Sequence, residues 1–139
     1  MSEESTTPDL VELGRAVEAA FRGDLEPWLC LLRPDCVWDD PALGLGSYEG
    51  LAAIREHIEE WIGSYEELEN TAEERLDLGN GVTFGVLLQR GRPMGSTGYV
   101  QLRYAAVNVW VEGRIERFTT YTDIDEARAA AERLAQERG

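Results

Sequence analysis

Apolar residues recur at every third or fourth position in three segments of the chain, and this spacing predicts three amphipathic helices. The first helix follows Pro8, which suits an initial turn, and its apolar face is Leu10, Leu13, Val17 and Phe21. The clearest helix runs from Leu51 to about Tyr65, with the apolar face Ile54, Ile58, Trp61, Ile62 and Tyr65. The last helix covers about Ile124–Arg138, with Ala127, Ala131 and Leu134 on its inner face.

Between the first two of these helices the apolar pattern is shorter and is broken by proline. Asp24 is a residue type that caps helices, so a short helix is predicted to start there and to end before Pro34. A short strand is predicted at Cys36–Asp39, and Pro41 is expected to end it. The glycine-rich stretch 43–50 is predicted to be a loop.

The second half of the chain has the residue types and the alternation of β-strands. Asn80-Gly81 is a strong hairpin signal, and Glu112-Gly113 predicts a second turn. Strands are predicted at Thr71–Leu78, Val82–Arg90, Tyr99–Val111 and Arg114–Thr122, with a turn region at Gly91–Gly98. Helices followed by antiparallel strands indicate the α+β class. Residues 1–139 are predicted to form one domain, with 1–7 as a flexible tail.

Charge excludes several kinds of partner. The formal charge is −14, from 27 acidic and 13 basic side chains. Nucleic acids and anionic membrane surfaces repel a protein of this charge, so neither is an expected partner. No apolar run approaches the roughly 20 residues that cross a bilayer. The polar, acidic N-terminus lacks the pattern of a signal peptide, so a cytoplasmic location is expected.

The sequence offers little for metal or disulfide chemistry. Cys30 and Cys36 are the only cysteines, and in a cytoplasmic chain they are expected to be reduced and buried. His57 is the only histidine and there is no CxxC motif, which argues against a structural zinc. No glycine-rich phosphate loop or nucleophile elbow is present, so neither a metal nor a cofactor is expected.

Five short strings stand in an informative order: Gly23-Asp24-Leu25, Val37–Pro41, Gly50–Glu56, Gly113-Arg114-Ile115 and Tyr121–Ala127. Together they resemble the SnoaL-like branch of the nuclear transport factor 2-like superfamily, which includes ketosteroid isomerases and polyketide cyclases. The resemblance implies a cone-shaped fold, in which a curved antiparallel sheet wraps around helices and encloses one internal pocket. It also implies a homodimer through the outer face of the sheet, where Val107 and Val109 are expected.

Asp40 is the leading candidate for a catalytic base. The resemblance to ketosteroid isomerases implies this role, because their base is the Asp before Pro in the first strand. Their two oxyanion donors correspond to Ala16 and Ala106 here, so steroid isomerisation by that mechanism is not expected. The alternative is that Asp40 is only a turn residue before the glycine-rich stretch.

Two further residues are catalytic candidates. His57 could pair with Asp40 from the Leu51 helix, or it could simply pack against Trp61 at the helix edge. Asp123 matches the catalytic Asp of SnoaL-type cyclases. The stronger interpretation of Asp123 is a helix cap, because Glu126 follows three residues later as in a capping box.

The predicted pocket lining comes from the first strand, the Leu51 helix and the last two strands. The candidate ligand contacts are Trp38, Trp61, Tyr104, Asn108, Trp110, Phe118 and Thr120. The alternative is core packing, which is the commoner role of tryptophans, with Asn108 satisfied by a neighbour.

These features favour a cofactor-free acid–base enzyme that acts on a small, largely apolar molecule by cyclisation, isomerisation, hydration or epoxide opening. The alternative is a non-catalytic module of the same fold that binds a small ligand or mediates dimerisation. Fold alone does not choose between the two.

Overall fold

One curved, open sheet of six strands organises the part of the chain that the computed structural model describes, residues 8–40 and 46–139. The elements are α1 (Leu10–Phe21), α2 (Glu26–Leu29), β1 (Leu32–Asp39), β2 (Ser47–Glu49), α3 (Leu51–Gly63), β3 (Tyr65–Gly79), β4 (Val82–Pro93), β5 (Val100–Val111), β6 (Arg114–Tyr121) and α4 (Ile124–Arg138). The strand order is β2-β1-β6-β5-β4-β3. The predicted α+β class is confirmed.

Strands β3 to β6 form an antiparallel meander, and β1 joins it by pairing parallel to β6. Both predicted hairpin turns are present. Asn80 and Gly81 have φ of 56° and 78°, and Glu112 and Gly113 have φ of 53° and 81°. Two consecutive positive φ values match the right-handed twist of the flanking strands, which is why these sequences turn here.

The two faces of the sheet carry separate apolar cores. Helices α1, α2 and α3 pack with one face around Trp28, Trp38 and Trp110. Helix α4 covers the opposite face of β4 and β5, where its small residues allow close approach; this cluster is Val82, Phe84, Val86, Ala105, Val107, Ala127, Ala131 and Ala135. Among the described residues, no helix has the length and apolar content to cross a membrane.

The expected dimer face needs a correction. Val107 packs in the cluster beneath α4, and Val107 and Val109 are only 2% and 9% exposed. The expectation that these two side chains offer an outward contact surface is therefore wrong, because α4 covers this face within the chain itself. The homodimer stays a prediction.

The region around α2 and β1 also differs from expectation. Asp24 does not cap α2: the helix begins at Glu26, with Leu25 as N-cap and no side-chain hydrogen bond. The helix ends at Leu29, and β1 begins at Leu32 because this segment pairs with Ile115 of β6. Pro34 is tolerated inside β1 because the β1–β6 ladder is interrupted between Leu32 and Val37.

Three other boundaries were wrong for local reasons. Part of the expected loop at 43–50 is strand β2, which pairs with β1; Pro41 and residues 43–45 lie outside the described residues. Tyr65 begins β3 rather than ending α3, since it pairs with Pro93. Strand β3 is longer than Thr71–Leu78, and three register shifts along it hide the alternation that would have revealed it.

The cysteines are both free, but only Cys36 is buried as expected, while Cys30 is exposed. Burial raises the pKa of the Cys36 thiol to about 12, and the negative charges of Asp35 and Glu116 act in the same direction. Cys36 therefore remains a protonated, unreactive part of the core at neutral pH.

The two hairpin turns give a matched test of packing against the sheet. A Cβ at Gly81 would lie 2.7 Å from the backbone oxygen of Trp110, whereas one at Gly113 would meet nothing within 4 Å. Gly113→Ala should cost only the left-handed backbone strain, about 1 kcal/mol. Gly81→Ala should cost more than about 2 kcal/mol of unfolding free energy, because the clash adds to the strain. Urea unfolding of both variants measures this, and equal losses would contradict the close approach at Gly81.

Candidate functional site

The carboxylate of Asp40 is fully buried at the end of β1. In the parallel β1–β6 register Asp39 faces Thr119, which brings Asp40 beside Thr120. The Thr120 hydroxyl donates to Asp40 Oδ1. Because side chains alternate along a strand, Asp39 turns to the other face, where it pairs with Arg117 at 2.9 Å.

His57 provides the second contact of this carboxylate. Its Nε2 lies 3.1 Å from Asp40 Oδ2, and the side chain is 6% exposed. The imidazole stacks on Tyr48, with centroids 4.0 Å apart and planes 9° apart, and it also contacts Trp38 at 4.6 Å. These rings fix the orientation of the imidazole, so His57 is held with one nitrogen on Asp40.

The predicted Asp40–His57 contact is therefore present, and Asp40 is not a solvated turn residue. Buried carboxylates need hydrogen-bond donors, and Asp40 has one on each oxygen. Its backbone N–H also donates to Gly46 O at 2.8 Å, which closes the end of β1. The catalytic roles of both residues stay predictions.

A cavity of about 80 Å³ lies between α1, α3 and the inner face of β3 to β6. Its wall is mainly apolar, and it includes six of the seven predicted ligand contacts: Trp38, Trp61, Tyr104, Asn108, Phe118 and Thr120. Ala106 also lines it. Pockets that enclose a drug-sized ligand have typical volumes of about 300 Å³ or more. The cavity as it stands therefore matches a single ring or a short chain.

Trp110 is the exception among the predicted contacts. It is 3% exposed and packs in the core, and its indole N–H donates to Thr83 Oγ1 at 2.9 Å. Asn108 Nδ2 donates to the same oxygen at 3.2 Å. Thr83 therefore anchors two side chains of β5, and the amide nitrogen of Asn108 is engaged within the protein.

The Asp40–His57 pair does not itself line this cavity. Thr120 and Trp38 belong to the cavity wall and contact the pair from the other side. The Thr120 hydroxyl is thus the polar link between the cavity and the carboxylate. This arrangement requires either a relay through Thr120 or a side-chain movement before Asp40 can reach a bound molecule.

Tyr104 places a phenol in the cavity wall. Its hydroxyl donates to Asn70 Oδ1 at 3.4 Å. Burial raises the pKa of Tyr104 far above its ordinary value, and the Asn70 hydrogen bond and Arg75 only partly offset this. Tyr104 therefore acts as a neutral hydrogen-bond donor at physiological pH.

Arg75 in β3 is a cavity residue that the sequence did not identify. Three register shifts in β3 remove the regular alternation that would have pointed this residue inward. Burial lowers the pKa of Arg75, while Glu18 and Tyr104 oppose this shift. Helix α1 also contributes cavity residues that were assigned only to the core, namely Leu10, Leu13, Val17 and Phe21.

Asp123 lies elsewhere. It is exposed and caps α4, accepting the Glu126 backbone N–H at 3.0 Å. It does not line the cavity, so the structure supports the capping interpretation. Within residues 8–40 and 46–139, His, Cys, Asp and Glu side chains form no group of three or more that could hold a metal ion.

Comparison with solved structures identifies the fold. A nuclear transport factor 2-like protein of unknown function from Burkholderia pseudomallei K96243 is 21% identical with a TM-score of 0.71, covering 88% of this chain and 95% of that one. A protein with a ketosteroid isomerase-like fold from Catenulispora acidiphila DSM 44928, in complex with trimethylamine, is 17% identical with a TM-score of 0.70, covering 90% and 93%.

Rv0760c from Mycobacterium tuberculosis, in complex with estradiol-17β-hemisuccinate, is 18% identical with a TM-score of 0.71, covering 86% of this chain and 96% of that one. At these identities the likeness concerns the fold alone. No curated protein matches the chain. The family model for the SnoaL-like domain matches residues 13–118, which is most of the sequence. The chain therefore belongs to the SnoaL-like domain family.

Proposed function

We propose that this protein is a cofactor-free acid–base enzyme that acts on a small, largely apolar molecule, with Asp40 as the proton acceptor. The observation that carries the proposal is a fully buried carboxylate bonded to an imidazole on one side and to a cavity-wall hydroxyl on the other. Ionisable groups with such defined partners beside an apolar cavity are typical of acid–base sites.

The proton would move in two coupled transfers. A C–H or O–H group of the bound molecule gives its proton to Thr120 Oγ1 as the Thr120 proton passes to Asp40 Oδ1. Reversal of this path returns the proton to a different atom of the molecule, so an isomerisation or cyclisation needs no oxidant or reductant. Hydration or epoxide opening would need a water molecule in the same path.

His57 would act on the other carboxylate oxygen. With the proton on Nε2, the imidazole donates to Asp40 Oδ2 and fixes the orientation of the carboxylate. Tyr48 and Trp38 hold the ring in place. A general base must be positioned within hydrogen-bond reach of the proton that it removes, and this packing holds Asp40 and His57 in a fixed arrangement.

Steroid isomerisation by the mechanism of the ketosteroid isomerases is not part of the proposal. The two positions that match their oxyanion donors are Ala16, buried in the core, and Ala106, in the cavity wall. Loss of one such donor typically costs about 3–4 kcal/mol of transition-state stabilisation. The cavity volume of about 80 Å³ also suits a molecule much smaller than a steroid.

The second candidate is a non-catalytic module that binds a small molecule. One observation favours it: neither Asp40 nor His57 is in the cavity wall, so the pair could serve only to join β1, β6 and α3. Measuring proton abstraction directly separates the two functions without knowledge of the natural substrate.

Hydrogen–deuterium exchange into small cyclic ketones in D₂O, followed by proton NMR, is the first test. With cyclohexenone or cyclopentanone, the wild-type protein should accelerate exchange above buffer. Asp40→Asn should lower that acceleration about 100-fold or more, since positioned bases contribute roughly 10² to 10⁴. If the Asp40→Asn variant exchanges as fast as the wild type, Asp40 is excluded as the base. A wild-type protein that retains a small molecule in native mass spectrometry, yet accelerates no exchange, is the result expected of a binding module.

Thr120 offers a matched pair of variants that tests the relay. Thr120→Ser keeps the hydroxyl and should retain most of the exchange rate. Thr120→Val keeps the shape but removes the donor to Asp40, so it should lose most of the rate and about 1–3 kcal/mol of unfolding free energy. Equal exchange rates in the two variants would show that the proton does not pass through this hydroxyl.

A further inference from the structure

We propose that the cavity binds a molecule whose apolar body carries one carboxylate, and that Arg75 receives this carboxylate. The inference deepens the proposed function, since it concerns the same cavity. It would stand as a binding property even if the protein catalysed no reaction.

A glycine in α1 makes room for the end of the Arg75 side chain. A Cβ at Gly14 of α1 would lie 2.8 Å from Arg75 Nη1, and a Cβ at Gly85 of β4 would lie 3.7 Å from its Cγ. Gly85 is also the residue that pairs with Arg75 across the sheet. Gly14 therefore leaves space against α1 for the guanidinium, and Gly85 lies in ordinary van der Waals distance of the Arg75 side chain along the cavity wall.

The guanidinium of Arg75 has no acceptor among residues 8–40 and 46–139, although it is only partly exposed. Neighbouring arginines are paired, for example Arg103 with Glu73 at 2.6 Å and Arg128 with Glu74 at 2.6 Å. Glu18 of α1 acts on Arg75 only through longer-range attraction, and its own ion-pair contact is with Arg22. A partly buried charge without a partner is unfavourable, and a carboxylate would satisfy its planar fork with two hydrogen bonds.

A second unsatisfied donor belongs to the same wall. Trp38 lines the cavity and is 2% exposed, and its indole N–H has no acceptor within the described part of the chain. Tyr104 adds a phenol whose proton is firmly held. The Arg75 guanidinium and the Trp38 indole N–H are thus two donors without an acceptor in this wall, which fits a ligand that brings oxygen acceptors and one negative charge.

The remaining wall sets the other half of the ligand. Leu13, Val17, Phe21, Leu87 and Phe118 offer only apolar surface. With a volume of about 80 Å³, the cavity fits one ring or a short chain beside the charged group. A single-ring aromatic acid therefore has the required chemistry.

Fluorine NMR titration with 4-fluorobenzoate and 4-fluorobenzamide tests the proposal, because the two compounds differ in charge and hardly in shape. The wild-type protein should bind the acid about 10- to 100-fold more tightly than the amide. Arg75→Gln should abolish this preference and leave amide binding unchanged. Arg75→Lys, which keeps the charge but loses the fork, should retain only part of it.

Arg103→Gln is the matched control. It removes one positive charge from strand β5, two strands from Arg75, where Arg103 pairs with Glu73 outside the cavity. It should keep the acid preference, and so should Glu18→Gln, which removes the nearest carboxylate of α1. Thermal unfolding of each variant confirms that the fold is intact.

Any of the following results would overturn the proposal: wild-type binding of the acid no tighter than the amide, an Arg75→Gln variant that keeps the preference, or an equal loss in Arg103→Gln. Binding of neither compound would also overturn it. Asp40→Asn separates this inference from the enzyme proposal. Suppose that the Asp40→Asn variant still exchanges protons at the wild-type rate, while the Arg75→Gln variant has no acid preference. Asp40 is then excluded as the base, and the proposed carboxylate site at Arg75 is retained.

Discussion

The burial of the Asp40 carboxylate is the constraint on which the arrangement of this site depends. A carboxylate without water must find donors inside the protein, and it finds one in Thr120 of β6 and one in His57 of α3. The parallel pairing of β1 with β6 sets the first contact, and the docking of α3 against β1 sets the second. A shift of either element would leave the buried Asp40 carboxylate without one of its donors in an apolar core, which costs several kcal/mol.

The same burial separates the Asp40–His57 pair from the cavity. Trp38 lies in β1 two residues before Asp40. Its indole stacks on Phe118, with ring centroids 4.9 Å apart, and contacts His57, so it lies between the Asp40–His57 pair and the cavity. The polar end of the cavity is then made by the Thr120 hydroxyl on one side and by β3 and β5 on the other. Acid–base chemistry in this cavity would therefore pass through the Thr120 hydroxyl, which donates a hydrogen bond to the buried Asp40 carboxylate.

How far the sequence predicted the site can be judged residue by residue. The contact of Asp40 with His57 was one of two alternatives, because the family resemblance placed the acid at the pocket while the helical period placed the imidazole only at the edge of the apolar face. The regular alternation of β5 correctly placed Tyr104 and Asn108 in the cavity wall. Trp110 was misassigned, because alternation gives the face of a sheet but not the position along it, and Thr83 draws the indole into the core.

Arg75 shows why part of the cavity wall could not be predicted from the sequence. Register shifts in β3 break the period of two on which side-chain direction depends, so no sequence pattern marked it as inward-facing. Ala106, in the middle of the sheet, has a side chain that offers no hydrogen-bond donor. Arg75, which pairs with Gly85 opposite Ala106, supplies a cation two strands away. If Arg75 receives a carboxylate as proposed, a molecule bound here would present its charged group to β3 while its apolar body faces α1.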